Sequence, residues 1–157
     1  FHNSGAIRAE IAVGPISVRD IFKVSPFQNT LVLFKLTGQQ LKETFECDVE
    51  RGRDRLQVSG LKYKYFSKKA RPFGERVHSV EVDGEIVVKN GQVVKPEKIY
   101  SVVSNDYLAG HAEDKFLCFS LDFFHDTGQP LDQALLEWLI EFKVLDYKPG
   151  QRIIEIK

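Results

Sequence analysis

Val77-His78-Ser79-Val80-Glu81-Val82-Asp83-Gly84-Glu85-Ile86-Val87-Val88 decides the fold class. Two runs rich in β-branched residues flank Asp83-Gly84, a dipeptide that readily takes positive φ at both central positions of a type I′ turn. The segment therefore predicts a β-hairpin. Asn90-Gly91 repeats the turn signal before Gln92-Val93-Val94. Upstream, Leu61-Lys62-Tyr63-Lys64-Tyr65 alternates apolar and charged residues, the period of a half-buried strand. Downstream, residues 99–104 (IYSVVS) read as another buried strand. It delivers the chain to Asn105-Asp106-Tyr107, a polar segment at a strand end, where ligand loops often sit.

Outside this β-rich middle the pattern becomes helical. Residues 18–24 predict a short helix capped by Ser17, with Asp20 in its first turn and Pro26 ending it. Phe27 follows in a turn with Gln28 and Asn29, a setting less suited to the core than those of Phe22 and Phe45. Residues 30–36 (TLVLFKL) read as a strand buried on both faces for part of its length. Thr37-Gly38-Gln39-Gln40 fits a capping box and opens a helix to about residue 49, with Leu41, Thr44, Phe45 and Asp48 on one side. The basic stretch Arg51-Gly52-Arg53-Asp54-Arg55 reads most simply as a solvated connection, with phosphate binding as the alternative. Residues 131–142 carry Leu131, Ala134, Leu135, Trp138, Leu139 and Phe142 at helical spacing, one apolar face. Lys148-Pro149-Gly150 turns the chain into a last strand at 152–156. The expectation is an α+β (mixed α/β) fold: a single compact domain over residues 1–157, with a mixed sheet, antiparallel hairpins and a few packing helices.

Composition narrows the function classes. Lys plus Arg and Asp plus Glu both number 22, so the net charge is zero, which argues against a nucleic-acid polymer or an anionic membrane as main partner. A small phosphorylated ligand needs only one or two placed arginines and stays allowed. No apolar run approaches the ~20 residues of a membrane span. Cys47 and Cys118 lack metal-ligand spacing and are expected to be buried thiols, with a disulfide in an oxidising compartment as the alternative. The four histidines form no paired ligand motif, so no metal or other cofactor is expected on this chain.

Phe1-His2-Asn3-Ser4-Gly5-Ala6-Ile7-Arg8 is the segment richest in ligand chemistry, although a loop feeding a strand is its plainer reading. Asn3 offers an amide, Gly5 and Ala6 allow close backbone approach, and Arg8 offers a guanidinium fork for phosphate. The chain holds no Met, and the expectation is that it begins inside a longer protein.

Taken in order, further landmarks join this segment. They are the Gly14-x-Ile16 step, Pro26-Phe27 before the Thr30-Leu31-Val32 strand, Leu36-Thr37-Gly38 with Leu41, Leu56-Gln57-Val58-Ser59-Gly60-Leu61, Arg76-Val77, and Asn105-Asp106-Tyr107-Leu108-Ala109. No single motif is specific; the order and spacing of the whole series are. The series resembles the C-terminal domain of the 5′-nucleotidase family, which includes ecto-5′-nucleotidases, bacterial UDP-sugar hydrolases, 2′,3′-cyclic-nucleotide phosphodiesterases and some secreted apyrases. The resemblance implies a substrate-recognition domain whose partner is a separate N-terminal metallophosphoesterase domain. That partner would hold two divalent metals and perform the hydrolysis, leaving this chain inactive alone. It implies that Asn3, Gly5 and Arg8 approach the phosphate and that Phe27 and Tyr107 sandwich the base. In the family a Gly-Gly-Asp-Gly-aromatic turn supplies the aspartate that binds ribose. Here Gly110-His111-Ala112-Glu113-Asp114-Lys115-Phe116 stands in its place, with Asp114 favoured over Glu113 for the ribose contact. The resemblance also implies a secreted, periplasmic or surface location. The alternative is a non-catalytic nucleoside- or nucleotide-binding module, or a homodimerisation module with a vestigial site.

Overall fold

The computed structural model describes residues 1–146 and 150–157. The hairpin predicted around Asp83-Gly84 is the centre of the larger sheet. β4 (Leu61–Phe66), β5 (Val77–Val82), β6 (Glu85–Lys89) and β7 (Gln92–Val93) form an antiparallel meander, and β10 (Ile153–Ile156) adds to β4 in parallel. Both turns are type I′ by their dihedrals: φ is 47° at Asp83 and 84° at Gly84, and 50° and 80° at Asn90 and Gly91. A second sheet places β2 (Thr30–Thr37) between β8 (Ile99–Asn105) and β9 (His125–Pro130), antiparallel to both. A short β1 (His2–Asn3) pairs with β3 (Leu56–Gln57), joining the N-terminal segment to the stretch before β4.

The helix α2 (Gly38–Arg51) touches strands of both larger sheets and fills the space between them. Its start is the predicted capping box: the Gln40 N–H donates to Thr37 Oγ1 at 3.2 Å, and the Thr37 N–H donates to Gln40 Oε1 at 2.9 Å. Gly38 is required by packing, since a Cβ there would lie 2.1 Å from the Lys95 carbonyl oxygen. The buried face carries Leu41, Thr44, Phe45 and Asp48 as expected, and the Phe45 ring stacks on Tyr63 at 4.2 Å between centroids. Burying a large apolar side chain such as Phe45 contributes roughly 1.5–3 kcal/mol. Around it lie Val32, Leu36, Leu56, Val77, Val80, Val88, Leu108 and Phe116, one continuous core.

Four readings need correction. β2 and β8 bury one face over most of their length: Leu33, Ile99 and Val103 remain exposed while Val32, Phe34 and Val102 are buried, and both faces close only at the end of β8, where Ser104 and Asn105 are buried. The stretch 51–55 is more than a solvated connection. Arg51 Nη2 and Arg55 Nε donate to the fully buried carboxylate of Asp48 at 2.7 and 2.6 Å, and the Leu56 N–H and Tyr63 hydroxyl also donate to it. Cys47 and Cys118 are not free thiols but a disulfide, with their Cα atoms 6.0 Å apart. Phe22, expected in the core like Phe45, is 53% exposed on α1 (Val18–Val24). The predicted helix at 131–142 forms as α4 (Leu131–Phe142) and rests on α1 and β9, but none of its residues is fully buried. Gly150 and the strand after it are described, whereas Lys148 and Pro149 of the predicted turn lie outside the described residues.

Candidate functional site

Three separate chain segments and one residue of the 51–55 stretch converge on a cleft of about 330 Å³. The N-terminal segment contributes Asn3, Gly5, Ala6 and Arg8, and the turn after α1 contributes Phe27 and Asn29. Asp54 and Tyr107 complete the wall. Other cavities are larger, such as one of about 550 Å³ against β2 and β8 lined by Leu33, Lys35 and Phe123. Among the described residues, none of these larger cavities combines two accessible aromatic rings with a convergent amide, guanidinium and carboxylate, the pattern expected of a small-ligand site.

Each side chain has a local cause for its place. The segment from β1 enters a 3-10 turn over Ser4–Ala6, where the Ser4 N–H donates to the Arg55 carbonyl at 3.0 Å and the Ile7 N–H to the Ser4 carbonyl at 3.0 Å. The Arg8 N–H then donates to the Val24 carbonyl at 2.9 Å, fixing the segment against the end of α1. The buried Asn3 accepts at Oδ1 from Asn105 Nδ2 at 3.2 Å. Asn105 Oδ1 in turn accepts from the Leu108 N–H at 2.7 Å, which caps α3 (Asp106–Gly110). Asp106 Oδ1 accepts from the N–H groups of Tyr107 and Thr30 at 2.8 and 3.2 Å. The side chains of the adjacent residues Asn105 and Asp106 thus tie the Asn3 wall, the β2 start and the Tyr107 wall.

The two aromatic rings are neither core nor freely solvated: Phe27 is 42% exposed and Tyr107 41%. Arg8 places its guanidinium carbon 5.9 Å from the Phe27 centroid and donates from Nη1 to the Gly5 carbonyl at 3.0 Å. Tyr107 packs edge-on to Phe116 at 6.0 Å and receives a hydrogen bond from Lys115 Nζ at 3.1 Å. The wall behind it is a π-helical turn over Ala112–Phe116, followed by Cys118, whose disulfide reaches α2. Arg51 supports both sides, donating from Nη2 to the Asp54 carbonyl at 3.1 Å and from Nη1 to the Lys115 carbonyl. Beside the cleft, burial is the largest influence on the His2 imidazole and lowers its pKa.

Five of the six residues singled out in the sequence line this cleft: Asn3, Gly5, Arg8, Phe27 and Tyr107. Asp114 does not. It is exposed on the outer side of the π turn and sits 3.3 Å from His111 Nδ1; Glu113 is likewise exposed and away from the cleft. Asn29 and Asp54 were missed as site residues. Asn29 lay in plain view two positions after Phe27, whereas Asp54 was hidden among the arginines of a stretch that reads as solvent-facing. Among the described residues no cluster of three or more His, Cys, Asp or Glu side chains could hold a metal ion, and no helix is long and apolar enough to cross a membrane.

The fold is that of a known family. A family model described as "5'-nucleotidase, C-terminal domain" matches residues 1–120, and the chain belongs to that family. Among curated relatives, an apyrase of Tabanus yao is 33% identical over 68% of this chain and 20% of its own length. A 5'-nucleotidase of Diplobatis ommata is 30% identical over 90% of this chain and 26% of its own. The crystal structure of a 5'-nucleotidase precursor from Thermus thermophilus superposes with a TM-score of 0.78 at 32% identity, covering 99% of this chain and 31% of that one. Haemophilus influenzae NAD nucleotidase shares the fold, with a TM-score of 0.77 at 21% identity over 99% of this chain and 29% of its own. This chain therefore spans between a fifth and a third of the length of these proteins.

Proposed function

We propose that this chain is the substrate-recognition domain of a nucleotide-hydrolysing phosphoesterase, with the base held between Phe27 and Tyr107. The observation that carries the reading is the pair of half-exposed rings on one cleft with Arg8 beside them. A nucleobase has two flat apolar faces, and stacking it on aromatic side chains contributes about 1–3 kcal/mol per base. Arg8 supplies a charge-assisted donor for a phosphate oxygen, and Asn3 and Gly5 complete that side of the cleft. Hydrolysis would belong to a separate metallophosphoesterase domain, whose two divalent metals would activate the nucleophile and stabilise the developing charge. The relatives' far greater length is consistent with such a partner domain. A secreted, periplasmic or surface location follows from the family resemblance.

Calorimetric titration of the chain with adenosine, AMP and UDP-glucose tests the reading. Adenosine and AMP should bind, and Phe27→Ala should weaken both by about 10-fold or more, the equivalent of one lost stacking face. Unchanged binding in Phe27→Ala would remove the clamp. A second reading, a binding module no longer coupled to hydrolysis, draws on the position of Asp114 and Glu113 off the cleft. It predicts nucleoside binding by the full-length protein without turnover.

A further inference from the structure

We propose that Asp54 is a ligand-reading residue: its Oδ2 atom accepts a hydrogen bond from a neutral donor of the bound nucleoside, either an exocyclic amino group or a ribose hydroxyl. The proposal rests on the base-clamp reading above and assigns the polar contact that orients the ligand inside the clamp.

Asp54 lines the same cleft as Phe27 and Tyr107. Its two oxygens are not equivalent. Oδ1 accepts the Gly5 N–H, while no hydrogen bond to Oδ2 is formed among the described residues. The position is built, not incidental. Asp54 sits at φ 48°, a left-handed conformation that costs a non-glycine residue. Arg51 holds this strained turn from both carbonyls, Nε on Arg53 at 3.0 Å and Nη2 on Asp54 at 3.1 Å. Gly5 is what admits the carboxylate, because a Cβ there would lie 2.7 Å from Oδ1 and 3.2 Å from Oδ2.

Charge decides which part of the ligand meets it. Arg8 and Asp54 are the charged side chains lining the cleft, and both are seated on Gly5, one at its carbonyl and one at its N–H. A carboxylate repels phosphate but accepts from a neutral N–H or O–H, and hydrogen bonds to a charged acceptor are the stronger kind. The portion of the ligand at Asp54 is therefore the uncharged nucleoside, with phosphate directed to the Arg8 side. Asp114 lies off the cleft, which leaves Asp54 as the carboxylate placed to accept from the ligand.

Asp54→Asn is the informative substitution. The amide oxygen can keep the Gly5 bond, and the amide nitrogen then stands where Oδ2 was, setting a donor against a donor. Calorimetry on wild type, Asp54→Asn and Phe27→Ala with adenosine should show Asp54→Asn binding about 10- to 100-fold more weakly, with an unchanged circular dichroism spectrum. Repeating the titration with purine riboside, which lacks the amino group, and with 2′- and 3′-deoxyadenosine locates the donor. Wild type and Asp54→Asn should bind alike the one analogue missing the group that Asp54 reads. Equal affinity of the two proteins for adenosine, or an equal loss for every analogue, overturns the proposal while leaving the clamp intact. Adenosine binding unaffected by Phe27→Ala, or absent in wild type, overturns the clamp reading, and this inference with it.

Discussion

Glu85 is a surface carboxylate paired with two lysines. Its carboxylate meets Lys95 Nζ at 2.6 Å and also pairs with Lys98, the two residues that flank the turn leading into β8. Hydrogen bonds from Lys95 and Lys98 hold its pKa down from 4.5 to about 2. A carboxyl depressed in the folded state stabilises the protein above its unfolded pKa and loses that contribution as pH falls through the folded value. The stability difference between wild type and Glu85→Gln should therefore be constant above about pH 5 and vanish as pH falls from 4.5 toward 2. An NMR titration that finds the Glu85 carboxyl with an ordinary midpoint would refute this. The sequence shows three charges and no hint that they meet, because that pairing depends on how β6 and the 95–98 turn are brought together.

Among the elements, α2 was the most legible and still withheld its main polar feature. Its capping box, apolar stripe and approximate end are local properties, so the pattern alone locates them. Asp48 could be placed on the inner face, but its partners come from the end of the helix, the loop after it and β4. Four donors surround that carboxylate: Arg51, Arg55, the Leu56 N–H and the Tyr63 hydroxyl, whose pKa burial pushes upward. Removing one partner of a buried ion pair leaves the others desolvated and unmatched, at a cost of about 3–5 kcal/mol. Asp48→Ala should lose that much in urea unfolding. Arg51 also holds the 53–55 side of the cleft through the Arg53 and Asp54 carbonyls, so adenosine affinity should fall with it. A loss under about 1 kcal/mol, the scale of an exposed ion pair, would mean that the arginines find water instead. The burial of Glu46, which accepts from the Gly74 and Val77 N–H groups at 2.9 and 2.7 Å, was not legible at all, since only tertiary contacts reward a carboxylate there.

At the level of the whole molecule, the cleft is assembled from residues a hundred positions apart, and the disulfide is the covalent part of that assembly. It joins α2 to the chain just beyond the π turn that backs Tyr107, across a sequence separation of 71 residues. A loop of that size restricts the unfolded chain by about 4 kcal/mol. Cys47→Ser/Cys118→Ser should unfold at correspondingly lower denaturant, and wild type in excess reductant should match it. Identical midpoints with and without reductant would show that the bond is not formed in solution. The hairpins and their turn types were readable from Asp83-Gly84 and Asn90-Gly91, as were most of the side chains that meet at the cleft. The pairing of the cysteines and the half-open second sheet were not, since each depends on what lies opposite in space. The parallel seam between β10 and β4 carries a consequence of its own during synthesis. Tyr63 leaves the ribosome ninety positions before its partner Ile153. Until the final strand emerges, β4 presents a bare edge of unpaired amides and carbonyls, an open template for strands of neighbouring nascent chains. β10 takes that edge when it emerges and becomes the outer strand of the sheet in its place.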